Sequence, residues 1–380
     1  MDTTAREFEC NADQVLFVAV EMSWKKWKVG STVGLGQKPR MKTIDAGDVK
    51  AFLSEVERAK RRFGLEVSTE VVSCFEAGRD GFWLHRFLEA EGFANVVVDP
   101  ASVSVNRRKR RRKTDRLDAA KLLNHLIHWH AGQEKEWSVV EVPRVEDEDA
   151  RQFHRELECL QKERTRSINR IKGLLAGQGI RMAKIGRDFL QLLNEARLWD
   201  GSKIPGQLRA RLVREHERMQ LVEKQTKELE CQRREAVKRA QDPRLEMIRG
   251  LQRLRGVGER SPWVLVMEFF GWRSFKNGRQ VGSLAGLTPT PFNSGAGDWE
   301  QGIDKAGNAR VRSMMIELAW GWLRYQPKSR LSLWFEERFG ASSRRSRRVG
   351  IVALARKLLI ALWRYLENGV VPEGAVLKKA

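Results

Sequence analysis

Four carboxylates stand at the ends of predicted strands or at the start of a predicted helix. Glu21 directly follows the short apolar run 15–20, and Glu76 follows a second predicted strand, Leu65–Cys74. Asp115 and Asp118 are three residues apart at the beginning of a predicted helix, so they share one of its faces. If the centre of the sheet is parallel, Glu21 and Glu76 emerge at the same carboxyl edge, where open α/β sheets bind their ligands.

A divalent cation is the partner that such a group of acids favours, because four carboxylates at one edge would otherwise repel one another. Mg²⁺ takes carboxylate and phosphate oxygens, and Mn²⁺ is the second candidate. Two such ions about 3.5–4 Å apart serve phosphoryl transfer. Each acid alone is also typical of a solvated surface or of a helix N-terminus. We predict all four as catalytic residues and metal ligands: Glu21, Glu76, Asp115 and Asp118.

A continuous basic run immediately precedes the two aspartates. Such runs usually bind polyanions or remain solvated loops. Next to a metal site, the run would deliver a phosphate backbone to the carboxylates without reading sequence. The predicted nucleic-acid contacts of this region are Arg107, Arg108, Lys109, Arg110, Arg111, Arg112, Lys113 and Arg116.

The composition also favours nucleic acid as the partner. The 380 residues carry 71 Lys and Arg against 49 Asp and Glu, a formal net charge of +22. Neutralising phosphates releases counterions and drives binding, although a basic surface can also serve only solubility. No apolar run approaches the roughly 18–20 residues of a membrane helix, and neither a secretory signal nor a CxxC pair is present. We expect a cytoplasmic, nucleoid-associated protein of a prokaryotic cell with no membrane partner.

Three segments must position these residues. In residues 1–142, three strands precede helix, strand, helix, strand and helix, the first helix being predicted at Val49–Phe63. This order predicts a mixed sheet flanked by helices. In residues 143–242, two apolar stripes with charged flanks predict a long antiparallel coiled-coil hairpin with a break around 200–206. Residues 243–380 are predicted to be mainly helical, with a flexible Gly-, Pro- and Ser-rich loop at 286–307. The predicted fold class is therefore α/β plus all-α.

Short motifs along the chain resemble those of a known family. FVAVEMS, which ends in Glu21-Met22-Ser23, resembles the family's acid after its first strand, and Glu76-Ala77-Gly78 approximates its Glu-x-x-Gly feature. KTDRLDA (113–119) matches its Lys-Thr-Asp-x-x-Asp-Ala signature, and GVGERSPWVLVMEFF, SLAGLTPTPFNSG and DKAGNARVR resemble three C-terminal elements. The chain thus resembles DEDD-type insertion-sequence transposases, the bridge-RNA-guided serine recombinases. The family usually has Asp where this chain has Glu21.

The resemblance implies a fold, an activity and partners. It implies an RNase H/RuvC-like domain at 1–142 and a C-terminal transposase domain at 243–380. In the family a serine attacks DNA and becomes covalently linked to it, and Ser294 is the matching residue here. Members choose donor and target DNA with a structured noncoding guide RNA and assemble as dimers that form a tetramer, with a composite active site. The C-terminal motif adds three nucleic-acid contacts: Lys305, Arg310 and Arg312.

Two other functions remain open at this point. A structure-selective nuclease, such as a junction resolvase, would use the same acids with water as the nucleophile. A non-enzymatic or catalytically weak nucleic-acid-binding relative is the other alternative, because octahedral Mg²⁺ tolerates little displacement and Glu21 is one methylene longer than Asp. Without the resemblance, Ser294 is typical of an ordinary turn.

Overall fold

The computed structural model describes residues 15–102, 115–133, 137–239, 241–294 and 297–378. The chain divides into two compact units, Met1–Val142 and Pro143–Ala380. The second unit contains both the predicted helical hairpin and the predicted C-terminal domain. The basic run at 107–113 lies outside the described residues. Within them, no helix is long and apolar enough to cross a membrane.

A five-stranded mixed sheet forms the centre of the first unit and confirms the prediction for this segment. Its strand order is β3-β2-β1-β4-β5. Strand β2 is antiparallel to β1 and β3, whereas β1, β4 and β5 are parallel. The strands are β1 Leu16–Met22, β2 Lys26–Thr32, β3 Arg40–Asp45, β4 Val71–Glu76 and β5 Ala94–Val98.

Helices cover both faces of this sheet, because successive side chains of a strand point to opposite faces. In β1, Leu16, Val18 and Val20 belong to the core that includes residues of α1 and α2. Phe17 and Ala19 belong to the core that includes residues of α3. The helices are α1 Val49–Phe63, α2 Trp83–Ala90 and α3 Asp115–His130.

Local signals define both ends of α1, and the prediction for this helix is confirmed. The Asp48 side chain caps its N-terminus, and Gly64 takes a left-handed φ of 68° at its C-terminus. The Leu65 amide then donates to the Lys60 carbonyl, which ties Leu65 to the helix end. The next strand, predicted from Leu65 onward, therefore starts later, and it takes in Glu76 as its last residue.

Two long helices begin the second unit. They pair antiparallel, because Arg164 bonds to Glu223 at 2.7 Å whereas the later Arg170 bonds to the earlier Glu215 at 2.8 Å. The predicted break was placed too late for the first helix, which ends before a left-handed Gly179 (φ 79°). The long helices are confirmed, and their coiled-coil packing stays a prediction. The elements are α4 Val145–Ala176, the short connecting helix α5 Phe189–Glu195 and α6 Gly206–Arg239.

The remainder of the second unit is mainly helical, as predicted, and packs around one large apolar core. Trp322, Phe335 and Leu358 are almost fully buried there. Helix α8 continues into a π-helical turn, Val266–Phe270. The elements are α7 Pro243–Gln252, α8 Arg260–Leu265, α9 Gly278–Leu284, β6 Pro289–Ser294, β7 Gly297–Ile303, α10 Ala309–Tyr325, α11 Arg330–Phe339 and α12 Arg344–Asn368.

Candidate active site

Two of the predicted acids meet at one edge of the sheet. Strands β1 and β4 run parallel, and Val20 pairs with Phe75, so Glu21 and Glu76 are the next residues on neighbouring strands. The sequence analysis placed both glutamates after their strands, whereas the structure places both within them. They line one cavity of about 280 Å³. Because β1 and β4 are parallel, this cavity lies at their carboxyl edge, where a ligand is expected.

The beginning of α3 lies at the same edge. The rings of Phe17 and His130 are 5.3 Å apart, and the Cys74 Sγ lies 3.9 Å from the Leu122 carbonyl oxygen. Because the end of α3 lies near the start of β1, the helix runs opposite to the parallel strands. Asp118 lies one helical turn before Leu122, a distance of about 6 Å along α3. Glu76 lies two residues after Cys74, which is also about 6 Å along β4. The register therefore brings Asp118 level with the two glutamates.

The donor set of this edge suits magnesium. Among the described residues, no three His, Cys, Asp or Glu side chains form a group that could hold a metal ion. The Asp118 Oδ1 lies 3.5 Å from the Lys121 Nζ, and the side chains of Asp115 and Arg116 lie outside the described residues. Proteins usually bind Mg²⁺ through one or two carboxylates together with waters and substrate phosphates. Glu21 and Glu76 fit that mode, and the full quartet stays a prediction.

A cation and an aromatic ring that the sequence reasoning missed line the same cavity. The Arg79 guanidinium lies 4.3 Å from the centroid of the Trp24 ring, and both residues line the cavity with the glutamates. The Trp24 side chain is 70% exposed. A guanidinium can bind phosphate, and an exposed ring can stack on a base. The available signal was their position in the sequence: Trp24 is three residues after Glu21, and Arg79 is three residues after Glu76.

The segment that carries Ser294 forms a β-hairpin, so the predicted flexible loop is wrong for the described part of 286–307. Strands β6 and β7 pair antiparallel, and Ser294 pairs with Gly297. The Gly, Pro and Ser content of this segment is typical of a loop, but a two-stranded ribbon has exposed edges that also accept proline. The register of the two strands shifts between Pro289 and Pro291. The ladder places the Ser294 backbone beside the turn 295–296, which lies outside the described residues, as does the Ser294 side chain.

Two glycines from the C-terminal motifs fix the backbone conformation at the base of this hairpin. Gly286 has a φ of 65°, and a Cβ there would overlap the Ala306 carbonyl oxygen. Gly307 has a φ of 82°, and a Cβ there would overlap the Leu284 carbonyl oxygen. Both positions need left-handed backbone and a close approach, so only glycine fits. The Asn308 amide then donates to the Leu284 carbonyl at 2.8 Å.

The three C-terminal cations predicted to contact nucleic acid have different surroundings. Lys305 is exposed and has a left-handed φ of 60°. The Arg310 Nε donates to the Glu158 Oε2 at 2.9 Å. The Arg312 Nη1 donates to the Lys305 carbonyl at 3.0 Å and so holds the hairpin base. Their contacts with nucleic acid stay predictions.

A buried carboxylate that the sequence reasoning missed connects this hairpin base to α4. Glu268 lies in the π-helical turn and is 1% exposed. Its Oε1 accepts hydrogen bonds at 2.8 Å from the Arg155 Nε and from the His154 Nε2. Its Oε2 accepts from the Arg155 Nη2 at 3.0 Å and from the Asn308 Nδ2 at 3.2 Å. Asn308 also caps α10, so Glu268 fixes the start of α10 against α4.

The surroundings of Glu268 keep it ionised. Burial by itself would raise the pKa of this carboxyl, but the hydrogen bonds and charges of His154 and Arg155 outweigh it and hold the pKa far below the ordinary 4.5. A carboxyl whose pKa is lowered by folding stabilises the fold above its unfolded pKa. That contribution begins to fall as the pH drops below about 4.5 and is fully lost only below the lowered pKa of the folded state.

We therefore expect Glu268→Ala to lower the free energy of unfolding by about 3–5 kcal/mol at pH 7, because the substitution leaves the buried His154 and the partly buried Arg155 without their carboxylate. The measurement is urea unfolding of the full chain at pH 7 and at pH 4, and the difference between wild type and variant should shrink at pH 4. Glu215→Ala is the control. Glu215 is also buried, but its partners Arg170 and Arg218 have side chains 46% and 56% exposed, so water can replace it. An equal loss in both variants would contradict the role assigned to Glu268.

Comparison with known proteins identifies the class of the chain as transposase. The profile described as "Transposase IS116/IS110/IS902 family" matches residues 249–332, a range that includes Glu268 and the Ser294 hairpin. The putative transposase y4rJ of Sinorhizobium fredii (strain NBRC 101917 / NGR234) is 41% identical over 380 residues, covering 96% of this chain and 94% of the relative. The transposase for insertion sequence element IS1111A of Coxiella burnetii is 24% identical over 340 residues, 85% of each chain.

The chain belongs to the IS116/IS110/IS902 family of transposases. The extent of the match to the Sinorhizobium fredii protein carries this assignment, since it spans nearly the whole of both chains. A third relative, the transposase for insertion sequence element IS1328 of Yersinia enterocolitica, is 27% identical over 233 residues, 60% of this chain and 66% of the relative. The prediction of an insertion-sequence transposase is confirmed.

Proposed function

We propose that this transposase cuts and rejoins DNA by Mg²⁺-assisted phosphoryl transfer, with Ser294 as the nucleophile. The observation that carries the proposal is the meeting of Glu21 and Glu76 at one cavity, at the carboxyl edge that the start of α3 also reaches. Asp115 and Asp118 complete the proposed set of ligands, and Mn²⁺ is the alternative ion. The strand order β3-β2-β1-β4-β5 supports the RuvC-like fold that the sequence resemblance implies.

The serine step exchanges one phosphoester bond for another, so the phosphate remains a diester throughout. The Ser294 hydroxyl releases its proton as its Oγ attacks the phosphorus, the bond to the leaving strand breaks, and the departing oxygen takes up a proton, so the proton count is unchanged. A strand hydroxyl later attacks the phosphoserine and releases the serine, so rejoining needs no external energy source. A bound Mg²⁺ would stabilise the charge that develops on the phosphate. The acids would hold such an ion, and the hairpin base keeps the Ser294 backbone in place.

The proposed partners are donor DNA, target DNA and a structured noncoding guide RNA. A net charge of +22 supports several polyanions rather than one duplex. The names of the relatives, as transposases for insertion sequence elements, support an element end as the donor. We propose dimers that form a tetramer as the assembly, following the sequence resemblance.

The test is to trap the covalent link with the full chain, element-end DNA, Mg²⁺ and RNA transcribed from the flanking region. We expect a protein–DNA adduct that survives denaturation and maps to the peptide containing Ser294. Chelation with EDTA should abolish it, and leaving out the flanking RNA should reduce it strongly.

Two outcomes would overturn parts of the proposal. DNA cleavage without an adduct would replace the serine mechanism by a nuclease that uses water. Flanking RNA that binds no more tightly than a random RNA of the same length would remove the guide from the proposal while leaving the serine step intact.

A further inference from the structure

A second basic site lies in the second unit, at residues that the motif analysis did not assign. A cavity of about 470 Å³ opens between α9 and α12. Three of the six residues that line it are arginines: Arg279 from α9, and Arg356 and Arg364 from α12. The other lining residues are Asn277, Gly278 and Ile360, so no carboxylate of the described part lines the cavity.

Two glycines of α9 shape this cavity. A Cβ at Gly278 would lie 3.0 Å from the Ile360 Cγ2, and a Cβ at Gly282 would lie 2.8 Å from the Arg356 Nε. The bare backbone of α9 therefore lets the Arg356 side chain lie directly against the helix. A larger residue at Gly282 would displace the guanidinium, so the position of Arg356 depends on this close packing.

The three guanidinium groups have unused hydrogen-bonding capacity. The Arg356 Nε is buried and has no hydrogen-bond partner among the described residues. None of the three guanidinium groups forms an ion pair within the described ranges, whereas Arg244 of α7 is bonded to Asp242 at 2.7 Å. A buried donor left unpaired is destabilising, and more so when it belongs to a charged group. An anionic ligand would supply the missing acceptors, and guanidinium groups match the geometry of phosphate.

The charge continues along one face of α12. Arg356 and Arg364 are two turns apart and flank the cavity with Ile360 between them. Arg345 is exposed and lies eleven residues before Arg356, which returns it to the same face of the helix at a distance of about 17 Å. A row of cations of this length suits a polymer of phosphates better than a single small anion.

We propose that Arg279, Arg356 and Arg364, which line this cavity, each contact a backbone phosphate of nucleic acid and orient the strand without reading its sequence. The proposal rests on the proposed function only in taking nucleic acid as the ligand. It does not depend on the metal or on the serine, because neither the proposed metal ligands nor Ser294 line this cavity.

The test is the salt dependence of binding of the full chain to a random-sequence DNA duplex and to an RNA duplex of the same length, with EDTA present. In the triple variant R279Q/R356Q/R364Q, the slope of log affinity against log salt should fall by about 2–3 with DNA, since each phosphate contact contributes about 0.9. Arg356→Lys keeps the charge but loses the planar fork, so we expect a weaker affinity with a nearly unchanged slope.

The charge-matched control is R58Q/R61Q/R62Q. These three arginines are exposed on α1 of the first unit, so the variant loses the same charge elsewhere on the chain. We expect its slope to change by less than about 1. Thermal unfolding checks each variant. If the triple variant fails to fold, Arg364→Gln replaces it and is compared with Arg62→Gln, both at exposed positions, with expected losses of slope of about 0.9 and about zero.

A triple variant with the slope of wild type, or with that of the control, would overturn the proposal. A loss with DNA only, or with RNA only, supports it and identifies the polymer. The experiment also separates the two proposals, because a chain that forms no serine adduct can still show the difference between the triple variant and the control.

Discussion

Replacing Ser294 with alanine is expected to abolish both the covalent adduct and strand rejoining, a loss of roughly 10³-fold or more, which is the scale of removing a nucleophile. Alanine removes only a hydroxyl from the end of β6, so the hairpin and the equilibrium binding of DNA should be preserved. The measurement compares adduct yield, rejoined product and DNA affinity for wild type and variant under the same conditions.

The neighbouring hydroxyls are poor substitutes for Ser294. The Thr290 Oγ1 donates to the Gly302 carbonyl at 3.1 Å and is held within the ribbon. The Thr288 Oγ1 is buried. Neither group is free to approach a phosphate. A loss of activity in Ser294→Ala should therefore not be rescued by a nearby residue.

Ser283→Ala is the matched control for this experiment. Ser283 is exposed on α9, close in sequence to the hairpin but outside it. We expect its adduct yield to equal that of wild type. If Ser294→Ala still cleaves DNA at the normal rate, the chain uses water, as a junction-resolving nuclease does, and Ser294 is a turn residue.

The second large effect is expected at the sheet edge. Glu76→Gln and Glu21→Gln should each lower the rate of DNA cleavage at least about 100-fold, because a bound metal stabilises the transition state by several kcal/mol and each 1.4 kcal/mol is worth a factor of ten. The amide keeps the size of the side chain but removes the charge that holds a cation. Calorimetric titration with Mn²⁺ supplies a readout that does not depend on activity, and both variants should bind the ion more weakly.

Two further variants sharpen this test. Glu21→Asp restores the carboxylate type that the family usually has at this position, so we expect it to retain activity and metal binding. Asp45→Asn is the control, since Asp45 ends β3 at the same edge of the sheet but is paired with Lys26. Wild-type activity in Glu76→Gln would contradict the metal site and favour a function that needs no catalysis.

The elements that could be predicted are those whose signals are local. Helix α1 could be predicted from its apolar periodicity, and the structure shows that Asp48 and Gly64, adjacent to that pattern, cap its two ends. The hairpin of β6 and β7 was missed because its glycines and prolines are typical of loops, and only pairing between the two strands makes them a ribbon. The same distinction holds in the candidate site. Glu21 and Glu76 could be predicted because they follow apolar runs in a pattern that resembles a known family.

The sequence alone determined the transposase family, the mixed sheet, the two long helices and the glutamates at the sheet edge. These features depend on motifs and periodic patterns that are local in the sequence. Tertiary structure decided the rest. Nothing near Glu268 in the sequence identifies Arg155, which lies 113 positions away. Nothing near Arg279 predicts that α12 brings Arg356 and Arg364 to the same cavity. Such groups gain their chemistry from burial and from partners that only the folded chain brings together.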